Sequence, residues 1–195
     1  MIYLESIEIV EDHRTFKKGE RFNFESVNLL VGDQGCGKST ILEGLQLQKK
    51  FIKLNLTEEC QKQSVETFFF DTEKMNPRVV DPLKYTNLDG SNKGIGMGNA
   101  VKSRWTSHGE TLKEFTVNAL KKASKCVIFL DEPESALSLK NQYLLVKEIK
   151  EAIERKCQIF LSTHSLVLIQ SFPQVLSIEH KKWMKSEDFI SFNVP

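Results

Sequence analysis

A short apolar run, a glycine-rich loop and an amphipathic stretch follow one another near the N-terminus, and this succession restricts the fold more than any other feature. The run Val27–Val31 is typical of a strand buried inside a sheet. The next eight residues, GDQGCGKS at 32–39, match the pattern G-x-x-x-x-G-K-[ST] at every fixed position. From Lys38 onward, apolar side chains recur at helical spacing. The sequence therefore predicts a strand–loop–helix unit whose loop binds phosphate.

The residue types of this loop suit an anionic ligand. Glycines allow consecutive backbone N–H groups to turn toward a phosphate without side-chain obstruction, and the following helix directs its positive end at the same anion. In such loops the lysine, here Lys38, reaches the β- and γ-phosphates, and the hydroxyl of Ser39 binds Mg²⁺. The predicted nucleotide-binding residues are Gly32, Asp33, Gln34, Gly35, Cys36, Gly37, Lys38, Ser39 and Thr40. The alternative for Thr40 is a polar residue of the first helical turn.

A second apolar run ends in two carboxylates. The residues VIFL at 127–130 predict a central parallel strand that is buried on both faces. Asp131 and Glu132 follow at its carboxyl end, the edge at which open α/β sheets bind ligands. There Asp131 can hold Mg²⁺ opposite Ser39, and Glu132 can polarise the attacking water as a general base. The alternative is a surface carboxylate pair that caps the next helix, but the loop at 32–39 favours the nucleotide interpretation.

Strands and helices alternate along most of the chain, which predicts an α/β fold with a mainly parallel central sheet. The expected strands are Ile2–Val10, Arg21–Phe24, Val27–Val31, Phe68–Phe70, Val127–Leu130, Gln158–Ser162 and Val175–Ile178. One helix is expected to begin at Lys38, a second to cover Glu110 to about Lys125, and a third to cover Asn141–Arg155. Residues 87–99 are rich in Gly, Asn and Ser and are expected to form a flexible loop.

Composition excludes several classes of protein. With 195 residues, of which 40% are hydrophobic and 27% charged, the chain is expected to form one domain over residues 1–195. Lys plus Arg total 27 and Asp plus Glu total 26, so the net charge of +1 gives no overall attraction for nucleic acid or membranes. The acidic N-terminus is unlike a signal peptide, and no run approaches the ~20 apolar residues of a membrane span. We therefore expect a cytoplasmic protein.

The cysteines add no constraint on the fold. They are widely spaced, and none belongs to a C-x-x-C pair. This spacing fits neither a zinc site nor a disulfide framework, so we expect small residues in a reducing compartment. The four are Cys36, Cys60, Cys126 and Cys157.

Three further segments indicate which phosphate-binding proteins this chain resembles. They are SHGE at 107–110, DEPESALS at 131–138 and STHS at 162–165. In this order they resemble the signature motif, the Walker B motif with its D-loop, and the switch histidine of ABC-type ATPases. The chain is similar to small standalone ABC/SMC-like proteins labelled AAA family or AAA domain-containing ATPases, whose signature reads SHGE. The resemblance implies an ABC-type head of the P-loop NTPase class, with N-terminal antiparallel strands and a shortened insert at about 75–106.

The resemblance also implies an assembly. ABC-type heads form head-to-tail dimers that enclose two molecules of ATP with Mg²⁺. Ser107, Gly109 and Glu110 would then contact the nucleotide bound by the opposite subunit, because they lie at a helix N-terminus. Residues 135–138 would cross the interface beside that second site. Taken alone, Ser107 is interpreted more simply as a helix N-cap.

The same resemblance assigns catalysis to Lys38, Glu132 and His164, with His164 contacting the γ-phosphate and orienting water. Taken alone, His164 is interpreted as a core histidine at a strand end. The Q-loop glutamine of ABC proteins has no evident counterpart after the strand at 68–70, and Glu73 is the candidate for that role and for binding the metal. Asp71 competes for the same role, and a surface acidic turn is a third interpretation.

Two features differ from transporter ATPases. No tyrosine lies where those proteins stack adenine, so Arg14, Phe16 and Phe22 are the candidates for contact with the base. The segment between Lys38 and Ser107 is shorter than a transporter's helical subdomain, and it leaves no room for the long coiled coil of SMC proteins. The chain is therefore expected to be a minimal ATPase head.

Two functional hypotheses follow. The first is an Mg²⁺-dependent ATPase that dimerises on ATP and drives or gates a partner, with DNA repair or defence as candidate settings. The second is a nucleotide-dependent switch whose slow hydrolysis controls a separate effector protein or nucleic acid. A transporter subunit is a third and weaker hypothesis. The basic segment 180–185, HKKWMK, is either a contact for a nucleic-acid backbone or a solvated surface, and we favour the latter.

Overall fold

The structure is a computed structural model that describes residues 1–62, 65–71, 84–87, 92–94, 116–135 and 137–193. Its strands are β1 (Leu4–Ile9), β2 (Arg21–Asn23), β3 (Val27–Val31), β4 (Ile52–Leu56), β5 (Glu66–Asp71), β6 (Lys84–Asn87), β7 (Asn92–Gly94), β8 (Val127–Asp131), β9 (Gln158–Ser162), β10 (Gln174–Ser177) and β11 (Lys182–Lys185). Its helices are α1 (Lys38–Leu47), α2 (Glu58–Lys62), α3 (residues 116–122), α4 (Leu139–Glu154), α5 (Leu166–Gln170) and α6 (Ser186–Asn193). Within these described ranges, no helix is long and apolar enough to cross a membrane.

Eight strands form the central sheet, in the order β11-β10-β3-β9-β8-β5-β6-β7. The strands from β10 to β5 in this order are parallel to one another. At the edges, β11 is antiparallel to β10, and β6 and β7 continue the sheet in antiparallel pairing beyond β5. A separate antiparallel sheet has the order β2-β1-β4. The prediction of an α/β fold with a mainly parallel central sheet and N-terminal antiparallel strands is confirmed.

Apolar side chains cover both faces of the parallel strands. Along β8, Val127 and Phe129 belong to the core that includes α1 and the three-stranded sheet. Ile128 and Leu130 belong to the opposite core, which includes α4 and α5. This alternation follows the two-residue period of a strand. Because helices or the small sheet cover both faces, β8 has no solvated side, which explains its unbroken apolar sequence.

The buried side chain of Gln158 ties the beginning of the chain to the central sheet. Its Oε1 accepts hydrogen bonds from the backbone N–H groups of Tyr3 and Leu4, at 2.9 and 2.8 Å. Its Nε2 donates to the carbonyl oxygens of Leu4 and Glu25, at 2.8 and 3.0 Å. One fully buried amide therefore holds the start of β1 and the turn before β3 against β9.

Some elements are not predicted by the sequence pattern. β4 carries the alternating sequence IKLNL and pairs along β1. β11 has lysines at both ends and lies at the edge of the central sheet, where lysines discourage pairing with other chains. The expected loop at 87–99 is wrong at Asn87, the last residue of β6, and at Asn92–Gly94, which forms β7. The residues of β7 have weak strand propensity, and β6 supplies their backbone partners.

The cysteines are free, and two of them touch. Cys126 and Cys157 directly precede β8 and β9, and their Sγ atoms lie 3.5 Å apart as a thiol–thiol contact. This contact and burial raise the pKa of Cys126, whereas the same hydrogen bond between the two thiols lowers the pKa of Cys157 to about 7. Both thiols lie at the amino ends of their strands, at the edge of the sheet opposite to Asp131.

Candidate functional site

The loop at 32–39 requires glycine at several positions. Gly32, Gly35 and Gly37 have φ angles of 138°, 81° and 112°, a region that side-chain-bearing residues rarely adopt. At Gly37 a Cβ atom would lie 2.6 Å from two ring carbons of Phe16. The glycines therefore permit both the turn of the loop and its close packing on the segment that contains Phe16.

Lys38 is the first residue of α1, and its ammonium group lies within the turn of the loop. Its Nζ donates to the carbonyl oxygens of Gly32 and Asp33, at 2.9 and 3.1 Å, and the residue is only 5% exposed. The N-cap of α1 is Gly37, which has no side chain to accept hydrogen bonds from the N–H groups of the first turn. The loop thus combines a buried cation with a helix N-terminus, which suits an anion such as a phosphate.

Ser39 and Asp131 lie face to face although 92 positions separate them in the sequence. The Oγ of Ser39 donates to Oδ1 of Asp131 at 3.1 Å, and the hydroxyl of Ser162 donates to the same oxygen. A hydroxyl and a carboxylate are the hard oxygen ligands that Mg²⁺ prefers, and Mg²⁺ usually takes only one or two protein ligands beside phosphates and waters. The described residues contain no group of three or more His, Cys, Asp or Glu side chains fit to hold a metal alone. The pair therefore fits Mg²⁺ that arrives with a phosphate ligand.

Glu132 and His164 stand side by side at the same edge of the sheet. They follow β8 and β9, which are adjacent parallel strands and therefore end together. The Nε2 of His164 lies 3.5 Å from Oε1 of Glu132, and both side chains are about half exposed. Glu132 has a φ of 45°, and its N–H bonds to the carbonyl oxygen and Oγ of Ser162. A carboxylate and an imidazole thus face solvent beside the proposed metal ligand Asp131.

A third carboxylate, Glu134, is hydrogen-bonded to the segment that carries His164 and is missed by sequence reasoning as a functional residue. It is 8% exposed, and its Oε1 accepts hydrogen bonds from Thr163 Oγ1 at 2.6 Å and the His164 N–H at 2.9 Å. Burial raises the pKa of Glu134, and these hydrogen bonds partly oppose the increase. The signal in the sequence is the run DEPE, where a third acid follows two at a buried strand end.

The three candidates for contact with the base differ in burial: Phe16 and Phe22 are buried, and Arg14 is exposed. Phe16 and Phe22 are each 1% exposed and pack edge to face with each other, so neither ring has a free face for adenine. This prediction is wrong because both rings fill the core under the small sheet. Arg14 is exposed and donates from Nη1 to the Oγ1 of Thr40 at 3.0 Å. The hydroxyl of buried Thr40 is therefore engaged by Arg14 in this structure.

Several predicted site residues lie outside the described ranges. They are Glu73, Ser107, Gly109 and Glu110. Asp71 ends β5 with its backbone in register with Asp131. Ser138 is the N-cap of α4, and Ser135 is exposed at the turn before it. The structure thus brings together the loop, the acidic strand end and His164, whereas the signature segment at 107–110 stays a prediction.

The basic segment 180–185 is built into the edge of the sheet. Its last four residues form β11, paired with β10. Lys181 forms an ion pair with Glu20, and Trp183 donates from Nε1 to the carbonyl oxygen of Asn23 at 3.0 Å. These contacts join the central sheet to the strand β2 and the turn before it, which favours a structural role for the segment.

One protein family matches part of this sequence. Residues 96–170 match the family described as "AAA domain, putative AbiEii toxin, Type IV TA system". The matched span contains Asp131, Glu132 and His164 but not the loop at 32–39. No curated protein matches the chain.

Solved structures of ABC-type proteins share the fold. A putative metal-chelate type ABC transporter in an inward-facing conformation has 17% identity and a TM-score of 0.57, over 96% of this chain and 85% of that chain. A dimeric ATP-binding cassette bound to ADP and Pi in a post-hydrolysis state has 13% identity and a TM-score of 0.56, over 95% and 99%. The protein cbiO1 from Clostridium perfringens, part of an ABC transporter complex, has 12% identity and a TM-score of 0.57, over 98% and 92%. The described fold is therefore that of ABC-type P-loop ATPase domains.

Proposed function

We propose that this protein is an Mg²⁺-dependent ATPase and that residues 1–195 form one ABC-type ATPase domain. One observation carries the proposal: the fold places the hydroxyl of Ser39, the first polar residue of α1 after Lys38, 3.1 Å from the carboxylate of Asp131. The loop that holds Lys38 and the acid Glu132 flank this contact. Phosphate binding, metal binding and a general base therefore share one edge of the sheet.

Each part has a proposed role. The backbone of residues 32–39 and the ammonium of Lys38 hold the β- and γ-phosphates. Ser39 and Asp131 would hold Mg²⁺, which would neutralise charge on the phosphate oxygens. Glu132 accepts a proton from the attacking water, and His164 orients that water. Because phosphoryl transfer needs little covalent help from the protein, catalysis consists mainly of positioning and charge stabilisation.

The residues outside the described ranges complete the proposal through the sequence resemblance alone. Glu73 is proposed as a further contact to the metal. Ser107, Gly109 and Glu110 are proposed to contact the nucleotide of a second subunit, which requires a head-to-tail dimer with two bound ATP molecules. A solved ABC cassette of the same fold is dimeric, and this supports the assembly.

Exposed apolar side chains on α4 and α5 also support a dimer. Leu139 and Tyr143 lie on successive turns of α4 and are 62% and 58% exposed. Leu166, at the start of α5, is 47% exposed, and the hydrogen bond from Ser165 Oγ to the side chain of Gln142 joins the two helices there. A second copy of the chain is the proposed occupant of this surface because it would also bring residues 135–138 to the opposite site.

The ATP-dependent dimer is proposed to drive or gate a separate partner, either an effector protein or DNA, in the cytoplasm. The near-neutral net charge argues against a surface that coats DNA, so the contact would be a small patch. Stimulation of ATP turnover by DNA would favour a role in repair or defence. Turnover that is indifferent to DNA would favour a protein effector.

The proposed activity is tested by measuring ATP binding and phosphate release with and without Mg²⁺. The variant Lys38→Ala removes the buried cation, and we expect ATP affinity to fall at least about tenfold and phosphate release to disappear, since a charge-assisted hydrogen bond contributes about 1.5–3 kcal/mol. Lys53→Ala, which alters an exposed lysine on β4, is the matched control and should behave like the wild type. Unchanged ATP affinity in Lys38→Ala would contradict the proposed site.

A further inference from the structure

The segment that carries His164 is hydrogen-bonded to the acidic turn after β8, in addition to bonds from the Thr163 N–H to Leu30 and from the Ser165 hydroxyl to Gln142. The hydroxyl of Ser162 donates to Asp131, and the N–H of Glu132 bonds back to Ser162. One residue further along, the hydroxyl of Thr163 donates to a carboxylate at 2.6 Å. These bonds cross between adjacent parallel strands, so the two turns form one hydrogen-bonded unit.

Glu134 provides the part of this unit that fixes His164. The same Oε1 atom accepts the Thr163 hydroxyl and the backbone N–H of His164, at 2.6 and 2.9 Å. The imidazole itself is 47% exposed, so packing alone does not immobilise it. The hydrogen bond to the backbone N–H of His164 therefore fixes the point from which the side chain extends. From there the imidazole Nε2 reaches to 3.5 Å from Oε1 of Glu132.

Keeping a carboxylate at this place is costly. Glu134 is buried, at 8% exposed, and its Oε2 makes no hydrogen bond. A buried polar atom without a partner lowers stability, and a charged one does so more strongly. An unpaired buried polar atom in a folded protein needs an explanation, and a role in catalysis is one such explanation. The adjacent backbone is also strained, because Glu132 has a positive φ of 45° without being glycine.

We propose that Glu134 is a positioning residue that holds the His164 segment, through its Oε1, at the distance from Glu132 that the reaction requires. This inference rests on the proposed ATPase function for its catalytic consequence. The dependence of the His164 backbone on Glu134 applies to the protein without nucleotide and does not require ATPase activity. Glu134 is proposed to act through His164 and not by contact with substrate or metal.

The first test is amide hydrogen exchange at His164 in the nucleotide-free protein. Glu134→Ala removes the acceptor, and we expect exchange of the His164 amide to accelerate by at least about tenfold. Glu134→Gln keeps an oxygen at the Oε1 position, and the amide should stay protected. Equal protection of His164 in the wild type and Glu134→Ala would overturn the proposal.

The second test is the division of the kinetic effect between kcat and KM. Loss of positioning alters the placement of His164 beside Glu132 and leaves phosphate binding by the loop intact. Glu134→Ala should therefore lower kcat by about ten- to a hundredfold and change KM for ATP by less than about threefold. Glu134→Gln should restore most of kcat. A Glu134→Gln variant as impaired as Glu134→Ala would overturn the role assigned to the hydrogen bonds at Oε1.

Glu148 on α4 offers a matched control. It is also buried, at 3% exposed, and its Oε2 also lacks a hydrogen bond, but it lies in the helix 4.0 Å from Lys121 and away from the turn. Glu148→Ala should lower stability without altering His164 exchange or kcat. If Glu148→Ala accelerates His164 exchange as much as Glu134→Ala does, the effect is general loosening and the proposal fails.

Two further outcomes separate this proposal from the proposed ATPase function. If the wild type neither binds nor hydrolyses ATP, the ATPase proposal fails, while His164 exchange in Glu134→Ala still decides the positioning claim. If Glu134→Ala does not fold, Glu134→Met replaces it, because methionine is of similar length but has no oxygen to accept the His164 N–H. We then expect faster His164 exchange in Glu134→Met than in Glu134→Gln, and equal exchange in the two would overturn the proposal.

Discussion

At the scale of single residues, Cys36 reports directly on the loop at 32–39. It is the only cysteine of the described residues that is half-buried, since Cys60, Cys126 and Cys157 are buried. A Cβ atom on Gly32 would lie 2.9 Å from its Sγ, so the thiol points across the loop. A ligand that fills the loop therefore changes access to this thiol.

We predict that ATP with Mg²⁺ protects Cys36 from alkylation. The measurement is mass-spectrometric mapping of maleimide labelling in the native protein at mildly alkaline pH, because burial raises the pKa of the Cys36 thiol. Cys36 should be labelled first without nucleotide and several-fold more slowly with it. Cys60 serves as the internal control, and identical labelling of Cys36 in both conditions would argue against nucleotide in this loop.

Glu134 makes stability depend on pH in a defined direction. Burial raises its pKa in the folded protein above the ordinary value of 4.5, opposed in part by hydrogen bonds from Thr163 and His164, while the Glu132 charge adds to the increase. A raised carboxyl pKa means that the folded state binds the proton more tightly than the unfolded state. The contribution of Glu134 to stability therefore falls as pH rises from about 4.5 through the folded-state pKa.

We predict that the stability of Glu134→Gln relative to the wild type increases over the same pH window. The glutamine cannot ionise, so its free energy of unfolding lacks this loss, and the difference between the two proteins should level off once the wild-type carboxyl is fully charged. Urea unfolding at a series of pH values measures the difference. A difference that is constant with pH would show that burial does not perturb this carboxyl.

At the scale of elements, the sequence predicts those parts whose pattern is local. β3, α1, β8 and β9 follow from apolar runs, a glycine loop and helical spacing, each contained within a few neighbouring residues. Lys38 and Ser39 follow from the same local motif. β7 and β11 depend instead on strands that supply their pairing partners, and their own residues carry little strand preference.

The same distinction separates the predicted from the unpredicted part of the candidate site. Asp131 and Glu132 are found because they end a buried run. The contacts of Glu134 join positions 134, 163 and 164 across two strands, and Phe16 is buried by a sheet that its own segment does not reveal. Such contacts depend on which strands are adjacent, and a local pattern carries no information on adjacency.

We predict that Gln158→Leu destabilises the fold through the junction of the two sheets. Leucine has a similar size but leaves the buried N–H groups of Tyr3 and Leu4 without their acceptor. At about 1–3 kcal/mol for each orphaned buried donor, the free energy of unfolding should fall by about 2–6 kcal/mol. Equilibrium urea unfolding measures this loss.

Gln61→Leu, which removes one exposed hydrogen bond to the carbonyl oxygen of Leu56, is the control and should change stability little. A similar loss of stability in both variants would contradict the role of Gln158 in joining the two sheets.

At the scale of the whole molecule, the proposed dimer needs an apolar surface that a second copy of the chain can cover. The exposed apolar residues Leu139 and Tyr143 lie on α4, and the exposed Leu166 begins α5 two positions after His164. Burial of such side chains contributes about 25 cal/mol for each Å² removed from water. Nucleotide would add the contacts that make this association depend on ATP.

We predict that Glu132→Gln, which binds but does not consume ATP, forms a dimer in ATP and a monomer without it. Light scattering after gel filtration gives the mass directly. Adding Tyr143→Lys should weaken the dimer by placing a charge in the proposed interface, whereas adding Phe192→Lys, at a 71% exposed aromatic residue on α6, should not. A dimer that is equally stable with Tyr143→Lys would place the interface elsewhere.

We propose that one edge of the sheet binds ATP and hydrolyses it with Glu132 as base. The most direct measurement is phosphate release from ATP by the wild type and by Glu132→Gln, alongside ATP affinity for both. We predict equal ATP affinity and at least about a hundredfold slower phosphate release by the variant, since a positioned general base contributes about 10²–10⁴-fold. Equal release by the two proteins would contradict the assignment of Glu132, and absence of ATP binding by the wild type would contradict the claim as a whole.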